Sequence, residues 1–268
     1  MSNKGKKLSG NHSKTIIRVM WWSLACFMAF LLILSMLIYN GVIGYMPPVE
    51  ELMHPRDRYA TTIYTSDGVE MGKFYRSKGN RSYVDFEQMS PHLKDALVAT
   101  EDVRFEQHSG IDVRAIFRSI IKRVILGKHS AGGGSTITQQ LAKQLYSPES
   151  SGLFERALQK PIEWAIAIKI ERFYTKDEIV KMYFNQFDFL NNAVGISSAS
   201  WVYFGKKPKD LNVQEAATLV GMCKNSSLYN PVRRNEITRD RRNVVLSQMA
   251  KNDCLSRAEL DSLQQTPL

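Results

Sequence analysis

Residues 131–145 read Ala131-Gly132-Gly133-Gly134-Ser135-Thr136-Ile137-Thr138-Gln139-Gln140-Leu141-Ala142-Lys143-Gln144-Leu145. Three consecutive glycines let backbone approach a ligand closely. Thr136-x-x-Gln139 has the spacing of a capping box, so a helix is expected from about Ile137. Ile137, Leu141 and Leu145 then line its buried side, while Gln139 and Lys143 lie one turn apart. A glycine loop, a helix N-terminus with free N–H groups, the hydroxyls of Ser135 and Thr136 and a lysine together suit a phosphate or diphosphate. The Gly-Lys-Ser/Thr order of a P-loop is missing. The plain alternative is a flexible linker.

Two flanking segments carry acids. Upstream, Glu101-Asp102-Val103-Arg104-Phe105-Glu106-Gln107-His108-Ser109-Gly110 follows the partly apolar Ala96-Leu97-Val98-Ala99. A carboxylate that closes such a stretch suits general acid or base work. The competing reading is a solvated acidic helix end with Arg104 paired locally. Downstream, Glu163, Ala167 and Glu171 fall at i, i+4 and i+8 on one helical stripe, with Lys160 one turn before Glu163. An ordinary surface stripe of ion pairs would look the same. Between these segments, Asp112 caps an amphipathic helix in which Val113, Ile116, Phe117, Ile120, Ile121, Val124 and Ile125 share a face, ended by Gly127. Ser119-x-x-Lys122 spells the serine–lysine acylation motif, but Lys122 sits on the polar side of a regular helix and no Lys-Thr-Gly follows.

Farther out, Val19–Tyr39 is a run of 21 residues without a charge, enough to cross a bilayer as a helix. Trp21, Trp22, Tyr39 and Tyr45 suit the interfacial belts. Lys4, Lys6, Lys7, Lys14 and Arg18 precede the run with no acid among them, and Glu50 and Glu51 follow it. The expected organisation is a basic cytoplasmic tail over 1–18, a transmembrane helix over 19–43 and an exported domain over 47–268. Pro161 is expected to open its helix. The 268 residues hold 36 Lys+Arg against 26 Asp+Glu, too mild an excess outside the tail to argue for nucleic acid. With 3 Cys and 16 Gly, disulfide-scaffold and collagen-like classes are excluded. Cys223 and Cys254 either pair in an oxidising compartment or remain two buried thiols. Residues 59–85 read as strands around a Ser66-Asp67-Gly68 turn, and nearly everything after Ser90 reads as helix.

Together these segments resemble the peptidoglycan glycosyltransferases, glycosyltransferase family 51. Glu101-Asp102-x-x-Phe105-x-x-His108-x-Gly110 resembles the first signature of that family, and Gly133 to Lys143 its second. Lys160-x-x-Glu163 with Ala167 and Glu171 resembles the third. Tyr183-Phe184-Asn185 through Gly195-Ile196, with Tyr203-Phe204-Gly205, resembles the fourth. Ala216-Ala217 to Gly221 with Tyr229-Asn230-Pro231 resembles the fifth. Arg241 to Met249 and the ending Gln265-Thr266-Pro267-Leu268 resemble the junction before a transpeptidase domain in two-domain penicillin-binding proteins.

The resemblance implies a mainly α, lysozyme-like fold with a small β element, preceded by one N-terminal transmembrane helix. It implies polymerisation of lipid II into glycan strands outside the cytoplasmic membrane, with the N-terminus inside. Glu101 is then the general base on the acceptor 4-hydroxyl and Glu163 the second catalytic acid. Asp102, Ser135, Thr136, Gln139, Gln140, Lys143, Lys160, Arg156 and Asn185 are the implied substrate-binding residues. No cofactor is required; a divalent cation, Mg or Mn, on the substrate diphosphate is compatible with the family, although no ligand cluster in the sequence demands it. The implied partners are lipid II, the growing strand, the membrane and other wall-synthesis proteins, with no nucleic acid. Two departures stand out: Gln159 precedes Lys160 where the family has Arg, so that one cation is either missing or supplied by Arg156, and the fourth signature lacks its usual central glycine. The rival readings are a lysozyme-like glycan-cleaving enzyme and a non-catalytic wall-binding scaffold.

Overall fold

The computed structural model describes residues 10–53, 61–68, 70–74, 82–124, 134–147 and 153–268. The described helices, in chain order, are α1 (Gly10–Tyr39), α2 (Val49–Met53), α3 (Pro91–Glu101), α4 (Val113–Val124), α5 (Ile137–Tyr146) and α6 (Leu153–Phe173). They continue with α7 (Lys176–Gln186), α8 (Ile196–Phe204), α9 (Val213–Cys223), α10 (Asn235–Lys251) and α11 (Arg257–Gln265). Strands β1 (Thr61–Tyr64) and β2 (Glu70–Phe74) pair antiparallel, with Thr61 opposite Phe74 and a bulge after Ile63. Gly68, at φ +79°, closes the turn between them by donating its N–H to the Thr65 carbonyl.

The chain divides into two compact units, Met1–Met46 with Ser151–Ile162, and Pro47–Ser150 with Glu163–Leu268. In the first unit, Lys14–Tyr39 has mean hydropathy 2.2 and is long and apolar enough to cross a bilayer. The helix starts at Gly10, inside the expected tail, and stops at Tyr39 rather than 43. It stops there because Gly41 turns left-handed (φ +73°) and Val42 donates back to the Leu37 carbonyl.

Helix α6 begins at Leu153, so Pro161 lies inside it and does not open it. The ring removes one N–H and disturbs one turn. Downstream, Ile166, Ala167 and Ile170 are fully or almost fully buried, and that apolar face keeps the rest of α6 helical.

In the second unit α3, α9 and α10 pack against one another, and α5 packs against α7. Leu93 and Leu97 from α3, Leu219 and Val220 from α9, and Val245 and Leu246 from α10 are at most 1% exposed. Each such side chain contributes about 1.5–3 kcal/mol of transfer free energy. The helix starts are set by reciprocal caps at Thr175/Glu178, Asn212/Glu215 and Ser256/Glu259. At α5, Thr136 accepts the Gln139 N–H without the reciprocal bond.

The loop of the fourth signature shows what replaces its missing glycine. Leu190, Asn191 and Asn192 all adopt left-handed φ (63°, 51° and 60°), a conformation that costs a non-glycine residue about 1–2 kcal/mol. Local bonds hold it. Ala193 donates to the Leu190 carbonyl at 2.8 Å, Leu190 donates to Asp188, and the Tyr203 hydroxyl donates to the Phe189 carbonyl at 2.6 Å. Cys223 is buried and Cys254 exposed, both free, so they are neither a disulfide nor two buried thiols.

Candidate active site

Glu101 is the last residue of α3, and its carboxylate opens into a cavity of about 710 Å³. The wall also includes Asp102, Arg104, Asp112, Arg118, Gly134, Ser135, Thr136, Gln140, Lys224, Arg241, Gln248, Lys251 and Asn252, among others. The end of α3, the face of α4, the loop entering α5 and the ends of α9 and α10 thus enclose one space.

Two donors fix Glu101. The Gln140 Nε2 donates to Oε2 at 3.0 Å, and Arg241 Nη2 lies 3.4 Å from Oε1. Arg241 is itself held, with Nε donating to the Gly221 carbonyl at 3.4 Å and the guanidinium 5.7 Å from the Tyr229 ring centre. The competing reading, a solvated acidic end with Arg104 paired nearby, is half right. Arg104 does pair locally, through Nε at 3.0 Å and Nη2 at 2.5 and 2.6 Å, but with Asp112. Glu101 keeps an exposed edge, its side chain 19% accessible.

Asp102 is buried beside it. Its oxygens lie 3.0 and 3.1 Å from His108 Nε2, and one accepts the Ile137 N–H at 3.1 Å. This carboxylate therefore caps the start of α5. Two of the N–H groups that a phosphate would need there are already engaged, Ile137 by Asp102 and Gln139 by the Thr136 hydroxyl. The helix terminus is thus less open to an anion than the sequence suggested. Free positive charge comes instead from Arg118, Lys224 and Lys251, which line the cavity and form no ion pair among the described residues.

Other sequence candidates are not among the residues of the described wall. Gln139 is 1% exposed and donates to the Gly110 carbonyl at 3.0 Å, as does the Thr136 hydroxyl at 2.8 Å. Asn185 is buried and ties Val84 to α7, accepting from its N–H at 3.1 Å and donating to its carbonyl at 2.9 Å. Both amides hold backbone where the resemblance implied substrate. Glu163 is 1% exposed, has a partner, and is not part of the described wall. Glu171 accepts from Thr138 Oγ1 at 2.6 Å and Lys176 at 2.7 Å, which makes it a tie between α5, α6 and α7. Lys143 is exposed on α5 and outside the described wall. Lys160 is exposed in the first unit, and the Arg156 side chain lies outside the described residues.

Arg241, Gln248 and Asn252 were not anticipated, although their spacing puts them on one stripe of α10. The same holds for Asp112, Ala115 and Ser119 along the start of α4. Lys122, the other half of the acylation motif, has its side chain outside the described residues. No group of three or more His, Cys, Asp or Glu side chains that could hold a metal occurs among the described residues.

For Asp112, burial alone would raise the carboxyl, but the Ala115 N–H and the Arg104 guanidinium outweigh it and hold the group below the usual carboxylate range. A depressed acid contributes stability above its unfolded value, and that contribution disappears as pH falls through the folded value. Asp112→Asn is accordingly expected to cost about 1–3 kcal/mol at pH 7. The gap from the parent chain should close below about pH 4, read by urea unfolding at the two pH values. A gap unchanged by pH would show that the charge contributes nothing.

Residues 67–250 match the family model described as Transglycosylase. The chain is 36% identical to penicillin-binding protein 1A of Neisseria flavescens over 217 residues, 81% of this chain and 26% of that protein. It is 35% identical to penicillin-binding protein 1A of Escherichia coli K12 over 226 residues, 84% of this chain and 26% of that one. A crystal structure of penicillin-binding protein 1A from Haemophilus influenzae is also similar, at 20% identity and a TM-score of 0.41 over 78% of this chain and 21% of that one. The chain belongs to the transglycosylase family, glycosyltransferase family 51, whose members are peptidoglycan glycosyltransferases. It spans about a quarter of the length of the curated relatives it matches.

Proposed function

We propose that this chain polymerises lipid II into β-1,4-linked glycan strands at the outer face of the cytoplasmic membrane. The observation that carries the reading is one cavity lined by an oriented carboxylate, Glu101, and by Arg118, Lys224 and Lys251, which form no ion pair among the described residues. Glu101 takes the proton of the acceptor 4-hydroxyl as that oxygen attacks C1 of the growing strand's terminal sugar. The C1–phosphate bond breaks from the opposite face, the configuration inverts, and undecaprenyl diphosphate leaves with the electron pair. Arg118, with Ser135 and the backbone at Gly134, receives the negative charge that develops on it. Glu163 does not line the described cavity, so direct contact between it and the diphosphate is not part of this reading.

The acids of the wall are already engaged: Glu101 by Gln140 and Arg241, Asp102 by His108 and Ile137, Asp112 by Arg104 and Ala115. So engaged, they do not fit a Mg or Mn site. The apolar helix, with basic residues before it and Glu50 and Glu51 after it, supports anchoring with the N-terminus inside.

The test incubates purified chain with lipid II and, separately, with preformed glycan strands, and resolves the products on a gel. Polymer supports the proposal, shortened glycan supports the cleaving enzyme, and an unchanged substrate supports a scaffold. A second measurement addresses the charge. Arg118→Ala is expected to weaken binding of a diphosphate-bearing lipid about tenfold while leaving a diphosphate-free disaccharide unaffected. Equal losses for both ligands would remove Arg118 from the leaving-group side.

A further inference from the structure

The hydrogen bonds that hold Glu101 continue past Gln140. Its Oε1 accepts from the Tyr183 hydroxyl at 3.1 Å, while its Nε2 faces Glu101 at 3.0 Å. Tyr183 is fully buried on α7, stacked on Phe187 at 6.0 Å and edge-on to Phe184 at 5.7 Å. It is not part of the cavity wall. The buried Cys223 thiol donates elsewhere, to the Leu219 carbonyl at 3.5 Å.

A side-chain amide between a carboxylate and a second group has two orientations, with nitrogen or oxygen toward the acid. A carboxylate only accepts, so the nitrogen must face Glu101 and the oxygen must face away. In the other direction that oxygen meets the Tyr183 hydroxyl, which donates to it. Burial pushes the phenol of Tyr183 well above its ordinary range, so it keeps the proton it donates.

The geometry points to Tyr183 as a positioning residue for the base, one that fixes the Gln140 amide and through it the Glu101 carboxylate. This inference rests on the glycosyltransferase reading and adds a residue that never touches the sugar. Phenol, amide and carboxylate form one chain, and each bond polarises the next.

Tyr183→Phe keeps the stacked ring and removes only the hydroxyl. The expected result is a drop in kcat of about tenfold, with KM and melting temperature unchanged. Gln140→Ala interrupts the same chain one link nearer the base, so the double variant should be no slower than Gln140→Ala alone. Parent-like kcat in Tyr183→Phe overturns the inference. So do additive losses in the double variant, or a fall in melting temperature that accounts for the lost rate. Orientation is also read without turnover, in a crystal structure of Tyr183→Phe. A Gln140 amide turned away from Glu101 supports the inference, and one left in place overturns it. If the parent chain makes no polymer while the amide does turn, the functional reading fails and the positioning contact stands.

Discussion

Glu101→Gln is expected to lower lipid II polymerisation by about 10²–10⁴-fold, the range that a lost general base usually covers. The substitution keeps the side chain's volume and removes its capacity to take a proton. Binding of the lipid-linked donor should stay within about threefold, because the cations of the wall are untouched. The new amide also disturbs its surroundings. Gln140 and Arg241 both donate to the carboxylate, and a glutamine offers one of them an N–H instead of a lone pair. Gln140 can answer by rotating its amide, whereas Arg241 cannot. Polymer formation on a gel and displacement of a labelled donor analogue give the two readouts. Near-normal turnover in this variant would remove Glu101 from its role and the mechanism with it.

Gly110→Ala is expected to cost stability heavily. Gly110 has φ +87°, and an added Cβ would lie 2.8 Å from the Ala167 carbonyl carbon and 2.9 Å from its oxygen. Those atoms are backbone of α6 and cannot rotate away. Left-handed strain of about 1–2 kcal/mol adds to overpacking of about 1–3 kcal/mol, out of a total stability of about 5–15 kcal/mol. Gly205→Ala separates the two effects. Gly205 is also left-handed, at φ +64°, but nothing lies within 4 Å of its missing Cβ. It should lose only the strain, about 1 kcal/mol. Denaturant unfolding of both variants decides the matter, and equal losses would mean that the close approach to Ala167 carries no weight. Activity should fall too, since the Gly110 carbonyl is where Thr136 and Gln139 are anchored.

How far the sequence could be read depended on how local the physics was. Helix starts were legible because capping is a contact between neighbours, as at Thr175 and Ser256. The start of α6 was misjudged because Pro161 carries a strong local signal, while the burial of Ile166 and Ile170 that sustains the helix is tertiary. In the site, Glu101, Ser135 and Gln140 could be named from their motifs. Whether a polar side chain faces solvent or backbone could not. Gln139 and Gln140 are adjacent and chemically identical, yet one anchors a loop and the other holds the base. Arg241 reaches Glu101 across 140 positions of chain, a separation that leaves no trace in local pattern.

Asp102 has a consequence of its own. It follows Glu101 directly, and its buried carboxylate is fastened to the first turn of α5 and to His108. The two sides of the cleft are therefore riveted through one peptide unit, like the jaws of a caliper set to a single gauge. The distance from Glu101 to the first turn of α5 is thereby held fixed.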